Sequence, residues 1–373
     1  MERVDVTIVG AGVVGLAIAA ELAEEGLDSA VVERHDSFGR ECSSRNSEVV
    51  HAGIYYPRGS RKASLCVEGR RELYRLLEER GIPFRKTGKL IVAWDRSQVP
   101  TLEKLKAQGD QNGVEGLRLL GRAETAALEP DIRAEAGLLS PETGIFDTHR
   151  FMAFLEKKAS RRATIAYRCE AVGIAKEPGG YTVRVRDADG EEYRFESRLV
   201  VNAAGLGAAR VAEMAGIDTA AAGYTISPCK GEYFSLGRGK GRGLRHLIYP
   251  PPTDISLGVH TVLDLQGGVK LGPNAFYVND DSDYAVDEGH RREFFLGARE
   301  YLPFIEEEDL SPDMAGIRPK LYRTGEPQRD FVIREEADKG LEGFINLLGL
   351  ESPALTASLA IGRLVGRMVK AAG

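Results

Sequence analysis

The chain has 373 residues, 43% hydrophobic and 28% charged. That balance can bury a large core and excludes a wholly disordered or collagen-like chain. With 50 basic and 56 acidic residues the net charge is −6, which argues against a general nucleic-acid surface, and aromatics at only 7% give little support to base stacking.

The length suggests two or three domains. The four cysteines (Cys42, Cys66, Cys169, Cys229) are too far apart in sequence for metal-ligand spacing, so no metal site is expected. A reduced, cytoplasmic chain is the plain reading. Val6 to Leu22 superficially resembles a signal peptide. However, Glu2 and Asp5 flank Arg3, and three glycines break the apolar run. No other stretch reaches the length of a membrane span.

In chain order, Val4–Val9 reads as a buried strand. Gly10-Ala11-Gly12-Val13-Val14-Gly15 follows, then a helix over Leu16–Glu25 stopped by Gly26, then a strand over Ser29–Glu33. This is one βαβ unit. Later strands are predicted at Lys89–Trp94, Thr164–Tyr167, Tyr181–Arg186, Arg194–Phe195, Leu199–Asn202, Glu232–Leu236, Leu247–Tyr249, Ser256–His260 and Ala275–Val278. Helices are predicted at Ser64–Arg80, Gln98–Asn112, Thr148–Arg161, Gly207–Ala215, Gly289–Tyr301 and Pro353–Lys370. Gly179-Gly180 and Asp189-Gly190 flank one strand and point to an antiparallel meander. Gly237 to Gly243 reads as an exposed hairpin tip. The fold class is therefore α/β (α+β): a Rossmann-like nucleotide-binding domain with a discontinuous second domain on a mixed or antiparallel sheet.

The glycine turn has its full context, a strand before it and a helix after it. Gly10 permits the tight turn, Gly12 admits a pyrophosphate, and Gly15 lets the helix pack on the strand. The helix N-terminus offers N–H groups and a positive dipole end. Glu33 can accept the ribose hydroxyls and would repel a 2′-phosphate, which disfavours NADP. The fingerprint alone does not separate FAD from NAD. It occurs once, so a second Rossmann domain for NAD(P)H is not expected.

Three segments carry a resemblance: the fingerprint, Val200-Val201-Asn202-Ala203-Ala204-Gly205, and Gly349-Leu350-Glu351-Ser352-Pro353-Ala354-Leu355-Thr356. With them the chain resembles FAD-dependent oxidoreductases of the D-amino-acid oxidase type. Within that group it is similar to the L-2-hydroxyglutarate dehydrogenases/oxidases, through Asn46–Tyr56, Gly88–Val92, Gly231-Glu232-Tyr233, Leu257–His260 and Gly316–Lys320. The resemblance implies FAD as cofactor and a discontinuous FAD-binding domain over residues 1–85, 145–222 and 312–373. A substrate domain would take residues 86–144 and 223–311. It implies cofactor contacts from Gly10, Ala11, Gly12, Val14, Gly15, Glu33, Arg34, Ser43, Ser44, Arg45, Asn46, Ser47, Ala203 and Gly205. Val172 would bond adenine through its backbone. Gly349, Leu350, Glu351, Ser352, Leu355 and Arg318 would lie by the flavin.

Oxidising a 2-hydroxy acid removes a hydride from Cα and a proton from a weakly acidic hydroxyl, so a general base helps, and histidine suits the task. A neutral amine needs no such base. Of six histidines, His35, His149 and His290 read as surface residues and His246 as a satisfied edge residue. His51 and His260 remain. One is the candidate base and the other a substrate or flavin contact, with a slight lean to His260; the competing reading is a packed core histidine. Arg318 is the candidate clamp for the substrate carboxylate. Arg45, Lys62, Lys89 and Lys230 are unranked candidates for a second cation, and Tyr55, Tyr56 and Tyr249 could donate to carboxylates. The expected partner is a small 2-hydroxy (di)carboxylate. Oxygen, a quinone or an electron-transfer protein stays open as acceptor, and a quinone would bring the protein to the periphery of the inner membrane. Two other functions stay open: an amine or amino-acid oxidase, and a non-catalytic dinucleotide-binding redox sensor.

Overall fold

The computed structural model describes residues 3–237, 239–252 and 257–372. The chain forms two compact units. One comprises Met1–Ser44, Thr148–Pro228 and Arg318–Gly373; the other comprises Arg45–Asp147 and Cys229–Ile317.

The first unit is built on an eight-stranded sheet. Strand β1 (Arg3–Val9) is buried over its last four residues, as a strand covered on both faces must be. It pairs in parallel with β2 (Ser29–Val32) on one side and with Glu192–Asn202 on the other. Ala163–Ala166 extends the parallel set beyond β2, and Leu341–Leu348 pairs in parallel with the end of Glu192–Asn202. The other half of that long strand joins the antiparallel meander Glu170–Glu177, Gly180–Arg186, Glu192–Asn202. Helix α1 (Val13–Glu24) buries nine of its residues. It is apolar nearly all round because the helices Thr148–Ala159 and Ala354–Ala372 both pack against it. Gly362 of the terminal helix is a close-approach point: a Cβ there would lie 2.9 Å from the Ala17 carbonyl oxygen.

The second unit carries three smaller sheets. In a four-stranded sheet, Leu247–Tyr249 runs parallel to Lys89–Ala93, which is antiparallel to Ala136–Ser140. A five-stranded sheet centres on Ser227–Leu236, and a three-stranded one joins Val49–Val50, Gly144–Phe146 and Phe84–Arg85. Helix α2 (Arg61–Arg80) is capped by the Ser60 hydroxyl, which accepts from Ala63 N–H at 3.1 Å, and stops at Gly81 in the left-handed conformation.

Several expectations need correction. Residues 45–85, placed with the first domain from sequence, belong to the second unit. Val49–Val50 pairs with Gly144–Phe146, and Ala52, Ile54 and Val67 pack into the core around Leu90. Arg194–Phe195 and Leu199–Asn202 form one strand. Ser256 lies outside the described residues, and Leu257–His260 is not a strand; the strand begins at Thr261. Gly237–Gly243, of which Arg238 lies outside the described residues, is not a hairpin tip: Ser227–Leu236 and Leu247–Tyr249 belong to different sheets. Leu310–Lys320, Val332–Glu336 and Leu341–Leu348 are strands that were not anticipated. Among the described residues no helix is long and apolar enough to cross a membrane, and no cluster suits a metal ion.

Candidate active site

In the first unit the turn after β1 is built by backbone crowding. Gly10 has φ +105° and donates its N–H to the Val32 carbonyl at 2.8 Å. A Cβ on Gly10 would stand 2.7 Å from the Ala203 carbonyl oxygen, and one on Gly15 would overlap the Gly10 carbonyl oxygen. Gly12 caps α1 with an extended backbone and no side chain of its own. The Val13 N–H is met by the Ser43 hydroxyl at 3.0 Å, and the intrahelical ladder opens only at Leu16 N–H to Gly12 C=O. The N–H groups of Val14 and Gly15 therefore precede the ladder, at the positive end of the helix.

Glu33, almost fully buried after β2, spans this turn. One carboxylate oxygen accepts from Ala11 N–H at 2.7 Å and the other from His35 N–H at 2.8 Å. Each oxygen keeps a further lone pair for a hydroxyl. Arg34 pairs with Glu41, and His35 Nε2 lies 2.8 Å from the same carboxylate, so Arg34 has an internal partner. The Ser44 hydroxyl donates to the Gly39 carbonyl. Ala203 N–H donates to the Val9 carbonyl at 3.0 Å, and Gly205 has φ +56°. Val172 sits where the strand register shifts between Ala171 and Gly173, an irregularity that re-aims a backbone. Gly349 has φ +68° and begins a tight segment in which Glu351 N–H donates to the Gly349 carbonyl at 2.8 Å. Leu350, Glu351 and Ser352 follow, and Leu355 is half-buried at the start of the terminal helix. Arg318 is half-buried on the strand Leu310–Lys320.

Three expected cofactor residues fall in the second unit. The Arg45 guanidinium lies 4.1 Å over the Tyr284 ring, Asn46 Oδ1 accepts from Glu48 N–H at 2.8 Å, and the Ser47 hydroxyl is 3.0 Å from that of Tyr233.

The second unit also holds a buried polar cluster. His260 is stacked on Tyr249 with ring centres 3.7 Å apart, and its Nδ1 is 2.7 Å from the Gly258 carbonyl oxygen. A carbonyl only accepts, so Nδ1 carries a proton and donates it to Gly258. The backbone around His260 is pinned: Tyr301 donates its hydroxyl to the Val259 carbonyl at 2.5 Å, and Gly272 N–H donates to the His260 carbonyl at 2.9 Å. Burial, Lys89 and His260 together hold His51 well below the usual histidine range. Cys66 donates to the His51 carbonyl at 3.4 Å, and burial pushes its thiol up to about 12. Lys89 Nζ lies 3.9 Å from the Tyr249 ring centre and 5.0 Å from that of Tyr55, and burial lowers it to about 7. Burial also raises Tyr55 and Tyr249, so both hydroxyls stay protonated.

The chain matches the family model described as FAD dependent oxidoreductase over residues 5–368. It is a member of that family. It is 40% identical to an L-2-hydroxyglutarate dehydrogenase of Arabidopsis thaliana, over 96% of this chain and 82% of the relative. It is 30% identical to one from Indibacter alkaliphilus, over 96% of both. Among solved structures, the L-alpha-glycerophosphate oxidase of Mycoplasma pneumoniae, dithionite-reduced and with FAD bound, superposes with TM-score 0.87 at 27% identity over 99% and 95% of the two chains. Glycine oxidase from Geobacillus kaustophilus shares the fold, with TM-score 0.81 at 22% identity over 100% and 95%.

FAD is the family's cofactor, and the first unit fits it. The tight turn that Gly10 and Gly15 allow, the Val14 and Gly15 N–H groups ahead of the α1 ladder and the carboxylate of Glu33 are a donor and acceptor set for a dinucleotide. Within the second unit of this flavoenzyme, His51, His260, Tyr55 and Tyr249 come together as one cluster. Lys230 is drawn elsewhere: its ammonium is 3.0 Å from Asp283 and 4.0 Å from Glu232, so the structure gives this expected substrate contact an internal role. His290, expected to be solvated, is bound to Glu232 at 2.6 Å. His246 is bound to Glu129 at 2.7 Å, as a satisfied edge residue would be. Gly258 was read only as part of the segment Leu257–His260, and Tyr301 was not singled out from sequence, yet both fix His260. The i−2 spacing of Gly258 was a local signal; Tyr301 had none.

Proposed function

We propose that this flavoenzyme oxidises L-2-hydroxyglutarate to 2-oxoglutarate, with His260 as base and Arg318 as clamp for the C1 carboxylate. One observation supports the choice of base: the Gly258 carbonyl accepts from Nδ1 of His260, so that in the neutral ring Nε2 is the proton acceptor. A hydroxyl substrate needs such a group, and an amine does not. His51 serves less well as a base, because its surroundings disfavour the protonated form. Its role is to contact the substrate or orient it. Arg318, followed by Pro319 and so held in extended backbone, offers the planar fork that matches a carboxylate. FAD, when bound, supplies the hydride acceptor. The names of the relatives at 40% and 30% identity support the substrate.

The test is anaerobic mixing of the yellow protein with L-2-hydroxyglutarate, followed by absorbance. Bleaching by this acid, and not by a panel of 2-amino acids, is the expected result. Bleaching by amino acids alone would replace the reading with C–N oxidation. Reduction by dithionite only would leave a redox sensor.

A further inference from the structure

Lys89 opens the strand Lys89–Ala93 and is 1% exposed. Its ammonium faces the rings of Tyr249 and Tyr55, at 3.9 Å and 5.0 Å. Among the described residues no Asp or Glu offsets its charge; the one group that favours it is the Cys66 thiol, which stays protonated. Two π faces cover only part of the cost of burying an ammonium. Beside it, the buried Tyr55 hydroxyl has no hydrogen-bond partner. Buried donors are normally satisfied; here the Tyr55 hydroxyl is not, and the ammonium over its ring has no acidic group to offset it. What both lack is an anionic acceptor.

We propose that Lys89 and Tyr55 form the subsite for the distal carboxylate of the substrate, so that this enzyme selects 2-hydroxy dicarboxylates over 2-hydroxy monocarboxylates. The inference rests on the hydroxy-acid reading above. Its geometry comes from Tyr249, whose ring carries both His260, 3.7 Å away, and the Lys89 ammonium. Base and ammonium thus share one ring. In L-2-hydroxyglutarate, the hydroxyl-bearing carbon and the far carboxyl carbon are three bonds apart. An acid whose reacting carbon stands at His260 thus brings its far carboxylate to the same cluster of the second unit, where Lys89 is the cation. The groups that face this ammonium are Cys66 from α2, His51 and Tyr55 from the segment after Val49–Val50, and Tyr249 with the His260 stacked on it. The free ammonium loses its proton near pH 7, and an arriving carboxylate restores it.

The test compares the FAD-loaded native enzyme with Lys89→Met and Tyr55→Phe. Lys89→Met exchanges a buried charge for an apolar chain of similar length, which a core tolerates. Calorimetric titration with glutarate and with butyrate measures the preference for a second carboxylate without any turnover. The ratio of kcat/KM for L-2-hydroxyglutarate and L-2-hydroxybutyrate measures it with turnover. Lys89→Met should cut both preferences about 30-fold or more, as for loss of one partner of a buried charge pair. Tyr55→Phe should cut them about tenfold. In the native enzyme the preference should weaken above pH 7, and in Lys89→Met that slope should vanish. A preference unchanged in Lys89→Met, or an equal loss for both acids of each pair, overturns the subsite. If L-2-hydroxyglutarate fails to reduce the flavin while the Lys89-dependent glutarate preference persists, the oxidation reading falls and the subsite stands.

Discussion

Gly12→Ala and Gly15→Ala should separate the cost of folding from the cost of holding the cofactor. A Cβ on Gly15 would overlap the Gly10 carbonyl oxygen and touch Ile8 at 3.6 Å, so the contact between turn and helix must open. Overpacking of that kind costs about 1–3 kcal/mol. Gly12 is different. Its φ of −71° is open to any residue, and a Cβ would meet only the Ser43 hydroxyl, at 3.2 Å. Alanine is a poorer helix cap than glycine but restricts the unfolded chain. The two effects roughly cancel, leaving a net change of about 0.5 kcal/mol or less. The new methyl does stand where a pyrophosphate must approach the backbone. Losing one hydrogen bond to a charged group costs about 1.5–3 kcal/mol, or about 10–150-fold in Kd. Urea unfolding at several FAD concentrations, extrapolated to none, gives the intrinsic stability; fluorescence titration gives the FAD affinity. Gly12→Ala should lose affinity with its stability intact, and Gly15→Ala should lose stability. If Gly12→Ala binds FAD as the native chain does, the pyrophosphate does not lie on this turn and the cradle argument fails.

His260→Gln should slow anaerobic flavin reduction by about 10²–10⁴-fold, the range for a lost general base, while His51→Gln should slow it less; the reverse order would move the base to His51. Arg318→Ala should raise the apparent substrate constant and leave the flavin absorbance per protein unchanged, and an unaltered substrate constant would remove the clamp.

Local chemistry made part of this molecule readable. The run from β1 through the glycine turn to β2 is contiguous, and each glycine answers a backbone constraint visible in the motif itself. The meander after Glu170 was readable from its Gly-Gly and Asp-Gly turns. Leu310–Lys320 was not, because Pro312 and Pro319 disguise a strand that lies along a sheet edge. Glu196 to Arg198 fell between two predicted strands because they are polar or charged, yet the segment joins the meander to the parallel strands in one continuous strand. Placing residues 45–85 needed the knowledge of which core receives Val67, and that core is assembled from segments as distant as Leu310. The polar cluster has the same character. His51 and His260 were visible as candidates, but the meeting of Lys89, Cys66, Tyr55 and Tyr249 joins segments up to two hundred residues apart. Only the bond from His260 to Gly258 was local.

Lys89 should also cost the protein stability, with a pH signature of its own. Its folded value is about 7, against about 10.4 for an unfolded lysine. Between these values the unfolded chain binds the proton and the folded chain does not, so this group makes stability rise with pH. The full cost is present below pH 7 and is relieved progressively as pH rises to about 10. The slope across that window approaches 1.4 kcal/mol per pH unit. The side chain is 1% exposed, so solvent screening removes little of it. Lys89→Met has no such proton to lose. The difference in unfolding free energy between native protein and variant should therefore be largest at pH 6–7, favour the variant there, and shrink as pH climbs. Urea denaturation at half-unit pH steps from 6 to 9.5 reads this difference, with Lys89→Met also lifting the depression that Lys89 places on His51. Two parallel curves would mean that the ammonium is hydrated in the folded state, and the cost ascribed to its burial would disappear. A converging pair would show a side chain kept at the expense of stability, as expected of a residue that serves a ligand more than the fold.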